Sequence, residues 1–356
     1  MNAAVSKTVV RLIGVPRVRI SPPPLQSQVP VRVLVHEVAR ALGAGRGAGC
    51  GQSRASLAVA RVLSLSSSAV VARHRAAGRE FEAGGVQSFV RDEGSGQPVV
   101  CVHGVPASCF VYRKMITELA GLGLRGVAFD LPGMGLAARP FDFDYTWTGL
   151  GRFAAAAVDS LALGRFHLVV HDIGGPVGFE LAATMPEGVL SMTLLNTVIE
   201  VESFRRPWMM EMYARRHVGE LWLAATNNLT FRALMFHAGI ADRRATPGEE
   251  LDAYVELLKR VDGGRAFLKI MRGFERTSEK QRLYERVVRD ARYPVQIVWS
   301  ARDPALRLAV QGAQAQRATG VGAIQTVLGK HFPQEDHAGE LARHVAALAG
   351  NPASSH

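Results

Sequence analysis

The sequence predicts an α/β fold, a mostly parallel β-sheet with helices on both faces and a helical segment inserted late in the chain. Three observations carry this. From Arg79 onward, strand-like and helix-like stretches alternate. Two of the strand-like stretches run into small-residue turns that carry polar side chains, at His103-Gly104 and at Asp172-Ile173-Gly174-Gly175. Between about residues 200 and 290 the alternation lapses into apolar positions three and four apart, as in Glu250–Leu258, which is helical spacing.

In chain order, Phe81–Phe89 and Pro98–Val102 read as the first strands, and a helix is seeded by Tyr112–Leu122. The strand Gly126–Asp130, a helix over Trp147–Leu163 and the strand Phe166–Val170 follow, the last leading into a helix expected from Pro176. Leu190–Asn196 is a further strand. Strand signals resume at Pro294–Trp299 and Ala323–Leu328, and a last helix covers Gly339–Ala349. The expected organisation is an extension over 1–78, a core over 79–199 and 292–356, and a helical cap over 200–291.

The chain has 356 residues, 48% of them hydrophobic, enough for one large core, and no apolar run long enough to span a bilayer. A soluble protein is expected, with no membrane partner. Its formal charge of +11 is unevenly spread: residues 1–70 hold nine Lys or Arg against the single acid Glu37, so eight of the excess charges lie there. The body is nearly balanced, which argues against a nucleic-acid partner. The first segment is rich in Arg, Ala, Gly and Ser, is broken at Ser21-Pro22-Pro23-Pro24, and has one short helical patch around Val31–Leu42; disorder is expected. Its Gly14–Pro24 string resembles a transfer-RNA gene read in a protein frame, so the start is expected near Val70 or Val71. Three cysteines, Cys50, Cys101 and Cys109, without CxxC spacing, exclude a disulfide framework and a zinc site and fit a reducing cytoplasm.

The chemistry lies at the strand ends. Phe166–Val170 runs into His171-Asp172-Ile173-Gly174-Gly175, the strand, sharp turn and helix setting of a nucleophile elbow, where small residues let the helix pack on the strand. Asp172 holds the nucleophile position; read alone, it serves equally as a helix cap. A serine alkylated at an sp3 carbon forms an ether that water does not cleave, whereas an alkylated carboxylate is a hydrolysable ester. Asp therefore points to alkyl transfer. Val99–Val102 leads into His103-Gly104-Val105-Pro106, and the N–H groups of Val105 and Ile173 are the candidate oxyanion hole.

With these motifs the chain resembles the α/β-hydrolase superfamily, in its Asp-nucleophile branch of haloalkane dehalogenases and epoxide hydrolases. Val105–Ile116, Ala128–Gly135 and Gly329–Asp336 carry the resemblance, which covers roughly residues 80 to 349; Ala137 stands where a Ser is usual. It implies an α/β-hydrolase fold, Asp303 as the triad acid after the strand ending at Trp299, and His331 as the base, in the order Asp172, Asp303, His331. Asn196 occupies the place where some relatives put the acid, and an amide cannot do that work. His337, the rival base, falls near the start of the last helix. Cys101 and Cys109 read as packing residues.

The implied reaction needs no metal or cofactor. Asp172 attacks an sp3 carbon of a small apolar substrate, and His331, held by Asp303, activates water to hydrolyse the ester. Haloalkane dehalogenases commonly place a Trp after the nucleophile as halide donor, and often Asn or Glu after the HG turn; here those positions hold Ile173 and Val105. A cap tryptophan, Trp208 or Trp222, is the candidate replacement, with Trp208 expected in the substrate site. Epoxide opening instead needs an acidic O–H, for which Tyr213, Tyr254 and Tyr284 are the cap candidates. Arg205, Arg206, Arg215 and Arg216 read as a solvated face, Met209 and Met210 as packing. A dehalogenase-like hydrolase, an epoxide hydrolase and a non-catalytic ligand-binding relative all remain open on sequence.

Overall fold

The structure, a computed structural model, describes residues 68–350. The extension expected over 1–78, including the Val31–Leu42 patch, lies outside the described residues up to position 67. Its last part is a helix, α1, over 68–76, with Val70, Val71 and His74 buried.

The sheet has eight strands: β1 Arg79–Ala83, β2 Val86–Glu93, β3 Pro98–Val102, β4 Arg125–Phe129, β5 Phe166–Asp172, β6 Val189–Thr197, β7 Val295–Ser300 and β8 Gln325–Val327. Their order is β1-β2-β4-β3-β5-β6-β7-β8, antiparallel from β1 to β4 and parallel from there on. The expected first strand Phe81–Phe89 is in fact a hairpin. Gly84 and Gly85, at φ +55° and +75°, take left-handed conformations that break it into β1 and β2.

Strands in the middle of a parallel sheet are covered on both faces, so they read as continuous apolar runs. In β3, Val100 and Val102 join one apolar cluster and Val99 and Cys101 the other, on opposite faces of the pleat. Each such fully buried side chain contributes roughly 1.5–3 kcal/mol. Helices α2 (Arg113–Gly121) and α13 (Ala338–Leu348) pack together, as do α3 (Trp147–Ser160) and α4 (Gly174–Thr184).

Between β6 and β7 come α5 (Trp208–Ala214), α6 (Val218–Ala225), α7 (Asn228–Leu234), α8 (Gly248–Lys259), α9 (Arg265–Arg272) and α10 (Ser278–Arg289). Helix α10 lies inside the cap expected over 200–291. Helix α10 packs on core helix α4: Tyr284 is fully buried against Phe179, and its hydroxyl donates to Glu180 at 2.9 Å. After β7 follow α11 (Ala313–Thr319) and the short α12 (Pro333–Asp336). No helix among the described residues is long and apolar enough to cross a membrane.

Candidate active site

The ends of the parallel strands β3, β5, β6, β7 and β8 lie along one edge of the sheet and deliver the predicted residues to one place. Asp172 ends β5 at φ +53°, a left-handed conformation that is costly for a residue with a Cβ. Close packing holds it there. The Thr197 hydroxyl on β6 donates to the Asp172 carbonyl at 2.5 Å. A Cβ at Gly104 would run into the Asp172 carboxyl group, and one at Gly175 into the Thr197 hydroxyl. The helix that follows starts at Gly174, two residues earlier than expected, and Ile173 occupies its N-cap position. Asp172 is therefore no helix cap.

The Val105 N–H donates to Asp172 Oδ2 at 2.8 Å. Burial raises the Asp172 carboxyl above its ordinary range, while the His331 charge and the N–H groups of Val105 and Ile173 pull it back toward the ionised form. Asp303 lies just past β7. Its Oδ2 accepts from His331 Nδ1 at 2.9 Å and from Asn196 Nδ2 at 2.7 Å, and its Oδ1 from the N–H groups of Ala305 and Leu306 at 2.7 and 3.0 Å. Burial acts to raise Asp303, but His331, Leu306 and Asn196 outweigh it and hold it below the carboxylate range. For His331, burial favours the neutral ring, yet Asp303 and then Asp172 lift it to about 9.

Two residues that sequence reasoning passed over support this group. His171, fully buried, donates from Nε2 to the His331 carbonyl at 2.7 Å and packs its ring 5.0 Å from that of His331. Burial, then the His331 charge, depress it to about 3, so it is a neutral donor fixing the His331 backbone. His103 accepts from the Leu131 N–H at 3.0 Å and faces the Gly104 carbonyl at 2.9 Å, bracing the turn that presents Val105. The signal for both was their position beside a motif residue. His337 faces Asp336 at 2.7 Å and does not line the cavity. Cys101 and Cys109 are buried, and burial pushes both thiols up, away from nucleophilic use.

Asp172, His331 and Val105 open into one cavity. Its wall is almost wholly apolar: besides Asp172 and His331, Trp147 and Arg206 bring the polar side-chain atoms. The expected substrate contact Trp208 is elsewhere. It is 45% exposed, packs against Trp222 and lines a separate surface cleft, because α5 turns that face away from the cavity. Met209 and Met210 line the cavity instead of packing alone, and the Arg206 side chain, only 5% exposed, belongs to its wall and not to a solvated face.

None of the three tyrosines reaches the cavity, and each hydroxyl is engaged: Tyr213 with Thr226 at 2.7 Å, Tyr254 with Glu335 at 2.5 Å, and Tyr284 with Glu180 at 2.9 Å. Among the described residues no group of three or more His, Cys, Asp and Glu side chains is arranged to hold a metal ion.

Known proteins share this architecture. Residues 99–344 match the sequence profile of the alpha/beta hydrolase family. A haloalkane dehalogenase of Mesorhizobium japonicum is 28% identical over 278 residues, spanning 73% of this chain and 86% of its own length. The uncharacterized hydrolase YNR064C of Saccharomyces cerevisiae is 24% identical over 282 residues, 74% of this chain and 93% of its own. Among solved structures, haloalkane dehalogenase DbeA of Bradyrhizobium elkani superposes with a TM-score of 0.66 at 21% identity, covering 78% of this chain and 99% of DbeA. An epoxide hydrolase of Vigna radiata gives 0.62 at 19% identity, covering 77% and 97%. These last two likenesses concern the fold. With the profile match spanning more than half its length, the chain belongs to the alpha/beta hydrolase family.

Proposed function

We propose that this hydrolase transfers an alkyl group from a small apolar halide to Asp172 and then hydrolyses the ester, as a haloalkane dehalogenase does. The observation that carries the reading is the Asp172 carboxylate at the head of an apolar cavity, with one oxygen tied to the Val105 N–H. The other oxygen attacks the halogen-bearing carbon in line; the new O–C bond forms as the carbon–halogen bond breaks, and the halide departs with the bonding pair. Ester formation erases the Asp172 charge, one of the two anions that raise His331, so the ring sheds its proton to solvent. Neutral His331 then takes a proton from water, which adds to the ester carbonyl. The resulting oxyanion rests on the Val105 and Ile173 N–H groups. Collapse breaks the bond to the alkyl oxygen, the alcohol leaves with the proton from His331, the proton left on the Asp172 carboxyl passes to His331 and restores the resting site, and one acid equivalent of halide is released overall.

Epoxide opening lacks support in the cavity: its alkoxide needs an O–H donor, and none of the three tyrosines lines the wall. The deciding experiment is intact mass spectrometry of the full chain carrying His331→Gln after incubation with mixed bromoalkanes and epoxides. A mass gain of one alkyl group without halogen is expected. A gain equal to a whole epoxide would replace this reading with epoxide hydrolysis. No gain, with the parent also inert on the panel, would favour the ligand-binding relative.

A further inference from the structure

Two residues of the cavity wall carry buried hydrogen-bond donors without partners. Trp147, at the start of α3, is 1% exposed, and its indole N–H has no acceptor among the described residues. An indole nitrogen can only donate, and a buried donor without a partner is rare enough to require an explanation. Arg206, in the same wall, has the same deficit at Nε, while its Nη1 and Nη2 donate to Glu211 at 3.1 Å and to the Met271 carbonyl at 2.7 Å. Phe274 packs against both, its ring centroid 4.9 Å from that of Trp147 and 4.2 Å from Arg206 Cζ. Apart from Asp172, no side-chain oxygen among the described residues lines this cavity to serve either donor.

We infer that Trp147 seats the departing halide, with Arg206 supplying positive potential to the same wall. The ligand atom must be acceptor-only, since the wall offers donors. It must also be satisfied by single N–H groups. A carboxylate prefers two parallel N–H groups from one guanidinium, and the Arg206 nitrogens other than Nε are already engaged. A monatomic anion has no such requirement. The chain thus replaces a donor beside the nucleophile, where Ile173 stands, with one from the helix after β4. This inference rests on the alkyl-transfer reading above.

The test is chloride-35 NMR line broadening on the full chain, titrated with sodium chloride and displaced by bromide or acetate. The parent is expected to broaden the line, with bromide displacing better than acetate. Trp147→Phe, which keeps a ring against Phe274, is expected to weaken this at least tenfold, and Trp208→Phe, outside the cavity, to leave it unchanged. If Trp147→Phe is unstable, benzothienylalanine at position 147 exchanges the N–H for sulfur at constant ring size. Parent-like broadening in either variant overturns the inference, as does stronger displacement by acetate, which would assign the seat to a carboxylate. The two readings separate cleanly. An alkylated His331→Gln protein with undiminished chloride binding in Trp147→Phe sinks the seat alone. Chloride binding lost in Trp147→Phe, with His331→Gln never alkylated, sinks alkyl transfer and leaves the seat standing.

Discussion

Replacing Asp303 by Asn should separate the two chemical steps. Oδ1 of the new amide can still accept from the Ala305 and Leu306 N–H groups, but its NH2 then faces two donors, Asn196 Nδ2 and His331 Nδ1. His331 escapes by moving its proton to Nε2 so that Nδ1 accepts, which removes the lone pair that water needs. A tautomer error of this kind slows a His-dependent step by roughly 10³- to 10⁴-fold. The charge is lost as well. Asp303 is foremost of the groups that lift His331 to about 9 against burial, and without its charge burial shifts the ring toward its neutral form. Because the folded-state value lies above the unfolded one, the parent's pair stabilises fully below about pH 6.5 and loses its contribution as pH rises through about 9. The proposed alkylation does not use His331 as a base, so the variant should accumulate the ester. Three measurements check this: intact mass after bromoalkane exposure, NMR titration of the His331 ring, and urea unfolding at about pH 6 and about pH 10. A variant that turns over without ester, or whose His331 still titrates near 9, refutes the reasoning.

Gly175→Ala drives a methyl group into the Thr197 hydroxyl that holds the Asp172 carbonyl; urea unfolding should show a loss of about 1–3 kcal/mol, with alkylation impaired beyond what the lost stability explains. Glu335→Gln removes a buried anion that receives Arg113 at 2.6 and 2.8 Å, Lys114 at 3.0 Å and Tyr254 at 2.5 Å, and should cost about 3–5 kcal/mol in denaturant titrations. Burial opposes its ionised form, but Arg113 and Lys114 depress Glu335 to about 2, so the contribution is present above its ordinary 4.5 and fades as pH falls toward about 2; Glu335→Gln should flatten acid unfolding in that window. Trp208→Ala, outside the cavity, should leave halide release within twofold of the parent by a pH-indicator assay, and a larger loss would restore it to the substrate site.

How much of this was legible in the sequence depended on whether a residue's role is local. The elbow is written in consecutive residues, because strand apolarity, a polar residue at the turn and two glycines follow from backbone geometry alone. Asp303 and His331 were reachable through the family resemblance of their segments, and they meet Asp172 because strand ends of a parallel sheet converge whatever the intervening length. The cap resisted for the opposite reason. Trp208 and Trp147 are equally plausible tryptophans in one dimension, and only helix orientation decides which lines the cavity: α5 sends Trp208 outward, while α3, a core helix, carries Trp147 into the wall. Arg206 sits in a run with Arg205 and reads as solvated, yet Glu211 and the Met271 carbonyl hold it inside. Tyr284 was assigned to the cap because helical periodicity cannot report that α10 packs on α4. The hairpin was missed because its glycines were read through as strand.

In the proposed cycle, the network behind Asp172 would let one histidine serve two steps between which its charge must change. In the resting site His331 has Asp303 on its Nδ1 side, Asp172 within electrostatic reach, and His171 held neutral against its backbone. A charged His331 stabilises the ionised nucleophile, opposing the burial that would otherwise protonate Asp172. Once Asp172 is an ester that benefit vanishes, while the penalty of burying a cation beside neutral His171 stays. In the proposed cycle the ring would therefore become a base when a base is first needed. Substituting Asp172 by Asn mimics the uncharged ester and should lower the His331 titration below that of the parent, readable by NMR without substrate. An unchanged His331 titration in Asp172→Asn would mean that the nucleophile does not set the charge of the base, and the proposed coupling of the two steps would fall with it.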